Sequence, residues 1–141
     1  MRSLRQWLLC GVAWSGAALA QPAAIARGEQ VYARCAGCHA LAHDSVGPRH
    51  CGLLGRRAGR LPGYDFSVAM QRSGIVWDEQ ALDRFLAAPM RVVPETTMTY
   101  AGVPDAQDRR DLIAYLRAAG QGEACRPPQA AARRPPLEKP R

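Results

Sequence analysis

Residues 35 to 39 read Cys35-Ala36-Gly37-Cys38-His39. Two thiols one turn apart meet the two vinyl groups on one edge of a porphyrin, and the adjacent imidazole places a ring nitrogen under the iron. C-x-x-C-H is therefore the pattern of covalent c-type haem attachment. A thioredoxin-like redox pair requires a βαβ setting with a following helix, and half of a zinc site requires a second Cys or His pair. The chain offers neither context. The sequence predicts one covalently attached haem c, bound through Cys35 and Cys38, with His39 as an iron ligand.

Iron held by one histidine has a second axial position, and its occupant separates an electron carrier from a catalyst. The candidates are Met70, Met90, Met98, His43 and His50. His43 lies four residues from His39 on what reads as a short loop, which faces it the wrong way. Met70 and Met90 read as gap-filling core or surface residues. Met98 ends Pro94-Glu95-Thr96-Thr97-Met98, an extended polar stretch without apolar periodicity, where a methionine has no packing task. Met98 is the expected sixth ligand, against the bland alternative of a satellite hydrophobic contact.

The elements that must position these residues follow from length and periodicity. A chain of 141 residues fits one domain. Aromatic residues make up only 6% of it, a deficit that a large apolar cofactor would fill. Gly28, Val31, Tyr32 and Cys35 recur at helical spacing, and Leu112, Ile113, Tyr115 and Leu116 make a second apolar face that Asp105 is placed to cap. Asp78 and Glu79 open another helix through Leu82, Phe85 and Leu86, limited by Pro89. Strand patterns are lacking, and the expected fold class is all-α.

Charge and composition divide the chain into three. The formal charge of +7 looks suited to nucleic acid, yet residues 21–125 hold twelve Arg against eleven acidic residues, a net +1. No basic stripe forms there, which argues against nucleic-acid binding. Residues 1–20 read as a signal peptide: Arg2 and Arg5, an apolar stretch from Trp7 to Ala20, and Ala18-Leu19-Ala20 before Gln21. That stretch is too short to span a bilayer comfortably, so the expectation is export to a periplasm without stable membrane insertion. Residues 21–125 form the expected domain. Residues 126–141, with Arg126-Pro127-Pro128 and Arg133-Arg134-Pro135-Pro136, read as a disordered or polyproline-like tail.

From Gly28 to Leu116 the chain resembles a class I cytochrome c, the small single-haem carrier of mitochondria and many bacteria. The resemblance runs in order through Gly28-Glu29, Cys35 to His39, Gly47-Pro48, Gly52-Leu53-Leu54-Gly55-Arg56, Gly59 and Pro62-Gly63-Tyr64. It continues through Ser73 to Trp77, Phe85-Leu86, Pro89, Pro94 to Met98, Ala101-Gly102 and Asp111 to Leu116. It implies a cytochrome c fold of three to five helices wrapped around one haem, the terminal helices crossing where Gly28 approaches Tyr115. It further implies that the Pro48 carbonyl accepts a hydrogen bond from His39. Arg56, Tyr64, Trp77 and Thr96 match positions that hydrogen-bond or neutralise the haem propionates. Leu53, Leu54, Phe85 and Leu116 are the candidate pocket wall.

Departures from that pattern are informative. Phe66 and Phe85 stand where the family often has Tyr, Glu95 replaces a customary Gly in the ligand loop, and His50 replaces a common core Leu. Glu95 implies a backbone angle that is avoided or strained. His50 reads as a hydrogen-bonded structural histidine. Cys51 and Cys125 are left over after haem attachment, and a disulfide between them is the economical outcome in an exported protein. Free thiols and an intermolecular bridge are the alternatives. The tail is either solvated and dispensable or a source of docking charge.

The expected function is a monomeric periplasmic electron carrier, not an enzyme, moving one electron at a time between larger periplasmic or membrane-bound redox proteins. The alternatives are a haem enzyme or gas sensor with a labile sixth ligand, and a dedicated electron-accepting subunit of one periplasmic dehydrogenase.

Overall fold

Gly28 decides how closely the two longest helices approach. The computed structural model of the chain describes residues 17–126, so the expected leader and tail lie almost wholly outside the described residues. Helix α1 (Ala17–Tyr32) and helix α5 (Ala106–Gln121) cross face to face. A Cβ at Gly28 would overlap the Asp111 carbonyl oxygen and come within 2.8 Å of the Tyr115 Cβ. Only a hydrogen at this position permits the contact, and it lets Val31, Tyr32, Leu112, Ile113 and Leu116 close into one core.

The crossing also buries a charge. Asp111 is 3% exposed, and its carboxylate accepts from Arg27 Nε at 2.6 Å and from Gln107 Nε2 at 2.9 Å. A buried carboxylate is costly unless it is paired and hydrogen-bonded in this way. The bond from Arg27, reinforced by Gln107, holds Asp111 below the usual carboxylate range against the opposing effect of burial.

Three shorter helices complete the shell: α2 (Val68–Arg72), α3 (Glu79–Ala87) and α4 (Pro89–Val92), with a 3-10 turn over Glu123–Cys125. Asp78 caps α3 through Ala81 N–H at 2.7 Å, and Asp105 caps α5 through Asp108 N–H at 2.7 Å, as the sequence pattern predicts. Pro89 ends α3 by starting α4 at its first position. Leu82, Phe85 and Leu86 of α3 are buried against α5. Arg109 Nε donates to Asp83 Oδ1 at 2.7 Å and pins α5 to α3. Among the described residues there is no strand, only an isolated bridge between Arg57 and Val76. Five α-helices among the described residues make the fold all-α.

Two outcomes follow from the crossing. Gly28→Ala is expected to lower the unfolding free energy by about 2–3 kcal/mol, because the added methyl meets backbone that cannot move aside; denaturant titration of the holoprotein measures it. Asp111, held below its ordinary pKa in the folded state, contributes stability above about pH 4 that is lost as pH falls through its folded pKa. The stability gap between the unmodified protein and Asp111→Asn is therefore expected to hold constant above about pH 5 and to narrow as pH falls below about 4 in urea titrations.

Candidate functional site

Helix α1 hands the chain directly to the cysteine motif. Past Tyr32 the backbone continues as tight turns, with Cys35 N–H donating to Tyr32 O at 2.8 Å, Cys38 N–H to Cys35 O at 3.0 Å and His39 N–H to Cys35 O at 2.9 Å. These turns carry Cys35 and Cys38 to the edge of a cavity of about 560 Å³ and place His39 on its wall. The two thiols form no disulfide; Cys35 is half-buried and Cys38 exposed. Burial pushes the Cys35 thiol up.

The His39 ring is held on several sides. Its Nδ1–H donates to the Pro48 carbonyl at 2.8 Å. A carbonyl only accepts, so Nδ1 carries the proton and Nε2 keeps its lone pair, the form required of a metal ligand. A side chain on Gly47 would strike the ring, its Cβ lying 2.6 Å from Nδ1 and Nε2, so glycine is obligatory beneath the imidazole. The His50 ring stacks on His39 at 4.4 Å between centroids and 18° between planes. Lying alongside His39, His50 belongs to the same side of the cavity.

His50 Nδ1 shares a hydrogen bond of 3.2 Å with the Tyr32 hydroxyl, and Tyr32 packs against Tyr115 at 5.1 Å. Burial, with the neighbouring His39 and Arg56, pulls His50 down to about 3, while burial pushes the Tyr32 phenol up to about 12. Both rings are neutral across the physiological range.

The remaining expected site residues all line the same cavity. Arg56 is anchored by donating to Cys51 O at 3.1 Å and Arg49 O at 3.0 Å. The Tyr64 hydroxyl donates to Val46 O at 2.6 Å. Trp77 is buried edge-on to Phe85, with centroids 5.1 Å apart. Thr96 Oγ1 accepts from Met98 N–H at 3.3 Å within the loop that carries the methionine to the cavity wall. His43 and Met90 are exposed and do not line it.

The structure corrects one wall residue and adds others. Leu53, Phe85 and Leu116 face the cavity, but Leu54 packs half-buried against the core outside it. Leu82, Leu86 and Leu112 take part instead, as does Met70, which nothing in its sequence surroundings marks out. Tyr100 also lines the site and was not singled out by periodicity, because it lies on an irregular loop.

Glu95 keeps the angle expected of the glycine it replaces. Its φ of 65° is the one left-handed value at a non-glycine position among the described residues, three residues before Met98. Such a residue costs of order 1–3 kcal/mol and persists only where its surroundings enforce it. On the other flank, Cys51 and Cys125 are bonded to each other across 74 residues, tying the loop after Pro48 to the end of α5.

The cavity fits a haem on chemical grounds: two unpaired thiols at its edge, an imidazole whose Nε2 is unprotonated, the thioethers of Met98 and Met70, and apolar walls of leucine, phenylalanine and tryptophan. Among the described residues no helix is long and apolar enough to cross a membrane.

Comparison with known proteins agrees with this geometry. The family described as Cytochrome c matches residues 25–120. The chain is 42% identical over 106 residues to cytochrome c2 of Rhodomicrobium vannielii, covering 73% of this chain and 84% of that protein. It is 40% identical over 120 residues to cytochrome c2 of Blastochloris viridis, covering 83% and 93%. The solved structure of cytochrome cH from Methylobacterium extorquens superposes with a TM-score of 0.65 at 40% identity, covering 67% of this chain and 97% of that one. A cavity lined by Cys35, Cys38 and His39 inside a family match over residues 25–120 has one reading: this chain belongs to the cytochrome c family, as a class I c-type cytochrome.

Proposed function

We propose that this protein is an exported electron carrier whose haem is attached through Cys35 and Cys38 and whose iron is held between His39 and Met98. The observation that carries the reading is convergence. A tautomerically fixed imidazole and a thioether from a distant loop line one apolar cavity. Haem c, when bound, supplies a one-electron iron couple, and histidine–methionine ligation raises its potential. The chain's own residues do the rest. The Pro48 carbonyl and Gly47 hold the His39 ring, leucines of α3 and α5 exclude water, and Arg56 and Tyr64 offer positive charge and a hydroxyl at the cavity wall for the propionates. Were His39 and Met98 both to ligate the iron, no coordination position would remain for a substrate.

Export to a periplasm is supported by the leader pattern and by Pro22. Cleavage before Gln21 leaves Pro22 in the first turn of α1, where its missing N–H costs nothing. In that compartment the Cys51–Cys125 bridge is a lasting covalent tie. Larger redox proteins, unidentified by these residues, serve as donor and acceptor. A second reading, a haem enzyme or gas binder with a labile sixth ligand, draws on one observation, the left-handed Glu95 beside the Met98 loop.

Far-red absorption of the ferric holoprotein decides between the two. The carrier reading expects the weak iron–sulfur charge-transfer band in the unmodified protein and its loss in Met98→Ala, together with new carbon monoxide binding by the ferrous variant. A protein that lacks the band before mutation, and binds carbon monoxide readily, is the enzyme or sensor. For the bridge, replacing Cys51 and Cys125 by Ser is expected to cost about 4 kcal/mol on the chain-entropy account of a loop this long, measured by denaturant titration; non-reducing mass spectrometry reads the pairing directly.

A further inference from the structure

The imidazole beside His39 has no task in the function proposed above, yet it is among the most constrained polar groups of the fold. The His50 ring stacks on His39, and its Nδ1 bonds the Tyr32 hydroxyl. Tyr32 in turn meets the His50 ring edge-on at 5.6 Å and packs on Tyr115 across the α1/α5 crossing. An unbroken line of four rings, His39, His50, Tyr32 and Tyr115, therefore joins the cavity to the helix pair. His50 is also next to Cys51, so the loop that presents it is tied to the end of α5 by the bridge to Cys125. Ring position is thus fixed from its backbone and from its far edge.

We propose that His50 is a positioning residue for the iron ligand: its ring braces the plane of the His39 imidazole, and its bond to Tyr32 registers that plane to the α1/α5 crossing. The inference rests on His39 being the ligand. The hydrogen bond to Pro48 fixes one edge of the His39 ring but leaves the ring free to tilt about that bond, since hydrogen-bond energy depends only weakly on such small rotations. A flat ring at stacking distance restricts the tilt; a branched aliphatic side chain offers no such plane. The imidazole is also a polar group beside the ligand, and more polar surroundings favour the more positively charged oxidised iron over the reduced form.

The test compares the holoprotein with His50→Leu and Tyr32→Phe. Two quantities are read: the midpoint potential, and the spread of haem-methyl shifts in the NMR spectrum of the ferric protein, which follows the orientation of the axial imidazole plane. His50→Leu is expected to raise the potential and to change the methyl-shift pattern. Tyr32→Phe keeps the stack but frees the His50 ring, and is expected to move both readouts in the same direction by a smaller amount; it serves alone if His50→Leu does not fold. His50→Phe, which retains a flat ring, is expected to restore the methyl-shift pattern. A raised potential with unchanged methyl shifts, or no change in either readout, overturns the proposal. An unmodified ferric protein whose NMR spectrum lacks the hyperfine-shifted ring resonances of a coordinated imidazole overturns the ligand assignment itself, and the inference falls with it for that separate reason.

Discussion

The hydrogen bond from His39 Nδ1 to the Pro48 carbonyl is the constraint around which the site is organised. It settles which ring nitrogen is protonated, and so turns a side chain that could ligate through either atom into one that presents Nε2 to the cavity. That bond exists only because the chain between the two residues folds back tightly. Gly47 N–H donates to Cys38 O at 2.7 Å, and His50 N–H reaches back to Ala40 O and Leu41 O at 3.1 Å. No side chain fits at Gly47, because the imidazole occupies the space. The cysteine motif, the proline and the glycine are therefore one device.

The helix crossing is the platform on which that device stands. Glycine at position 28 admits the α5 backbone, the paired Asp111 makes the close approach tolerable to a charge, and Tyr32 stands at the end of α1 where the cysteine turns begin. Rigidity is what an electron carrier needs, since reorganisation around the metal slows transfer. Cross-linking at Cys51 and Cys125 adds to it by joining the flank of the proximal loop to the far end of α5.

The opposite wall is built on a different principle. Met98 arrives on a loop held by short local bonds, Thr96 N–H to Val93 O at 3.1 Å and Met98 N–H to Thr96 Oγ1, with Glu95 strained at its start. His39 is thus braced by the core, and Met98 is carried to the cavity by a loop that stores strain. Val93 at the loop's root, 2% exposed, and Gly102 beyond its end, in contact with the α3 carbonyls, are its two anchors.

Much of this was legible in the residues. The expectation of one covalent haem, with Cys35 and Cys38 as attachment points and His39 as iron ligand, follows from residue type and spacing alone, because the chemistry is local and demands that order. The caps at Asp78 and Asp105 and the buried faces of α3 and α5 were equally local, set by period and by side-chain acceptors. What the sequence left open depended on contacts between distant segments. Leu54 differs from Leu53 only in which way the loop turns, so alternation could not tell wall from core. Met70 enters the cavity because α2 is folded over it, and Tyr100 because an irregular loop aims it there. His50 was readable as a structural histidine, but its stack on His39 depends on a loop closing back on itself. Sequence determines which groups are available for the iron; tertiary structure decides the planes in which they are held, because orientation is a property of packing between segments and leaves no period in the chain.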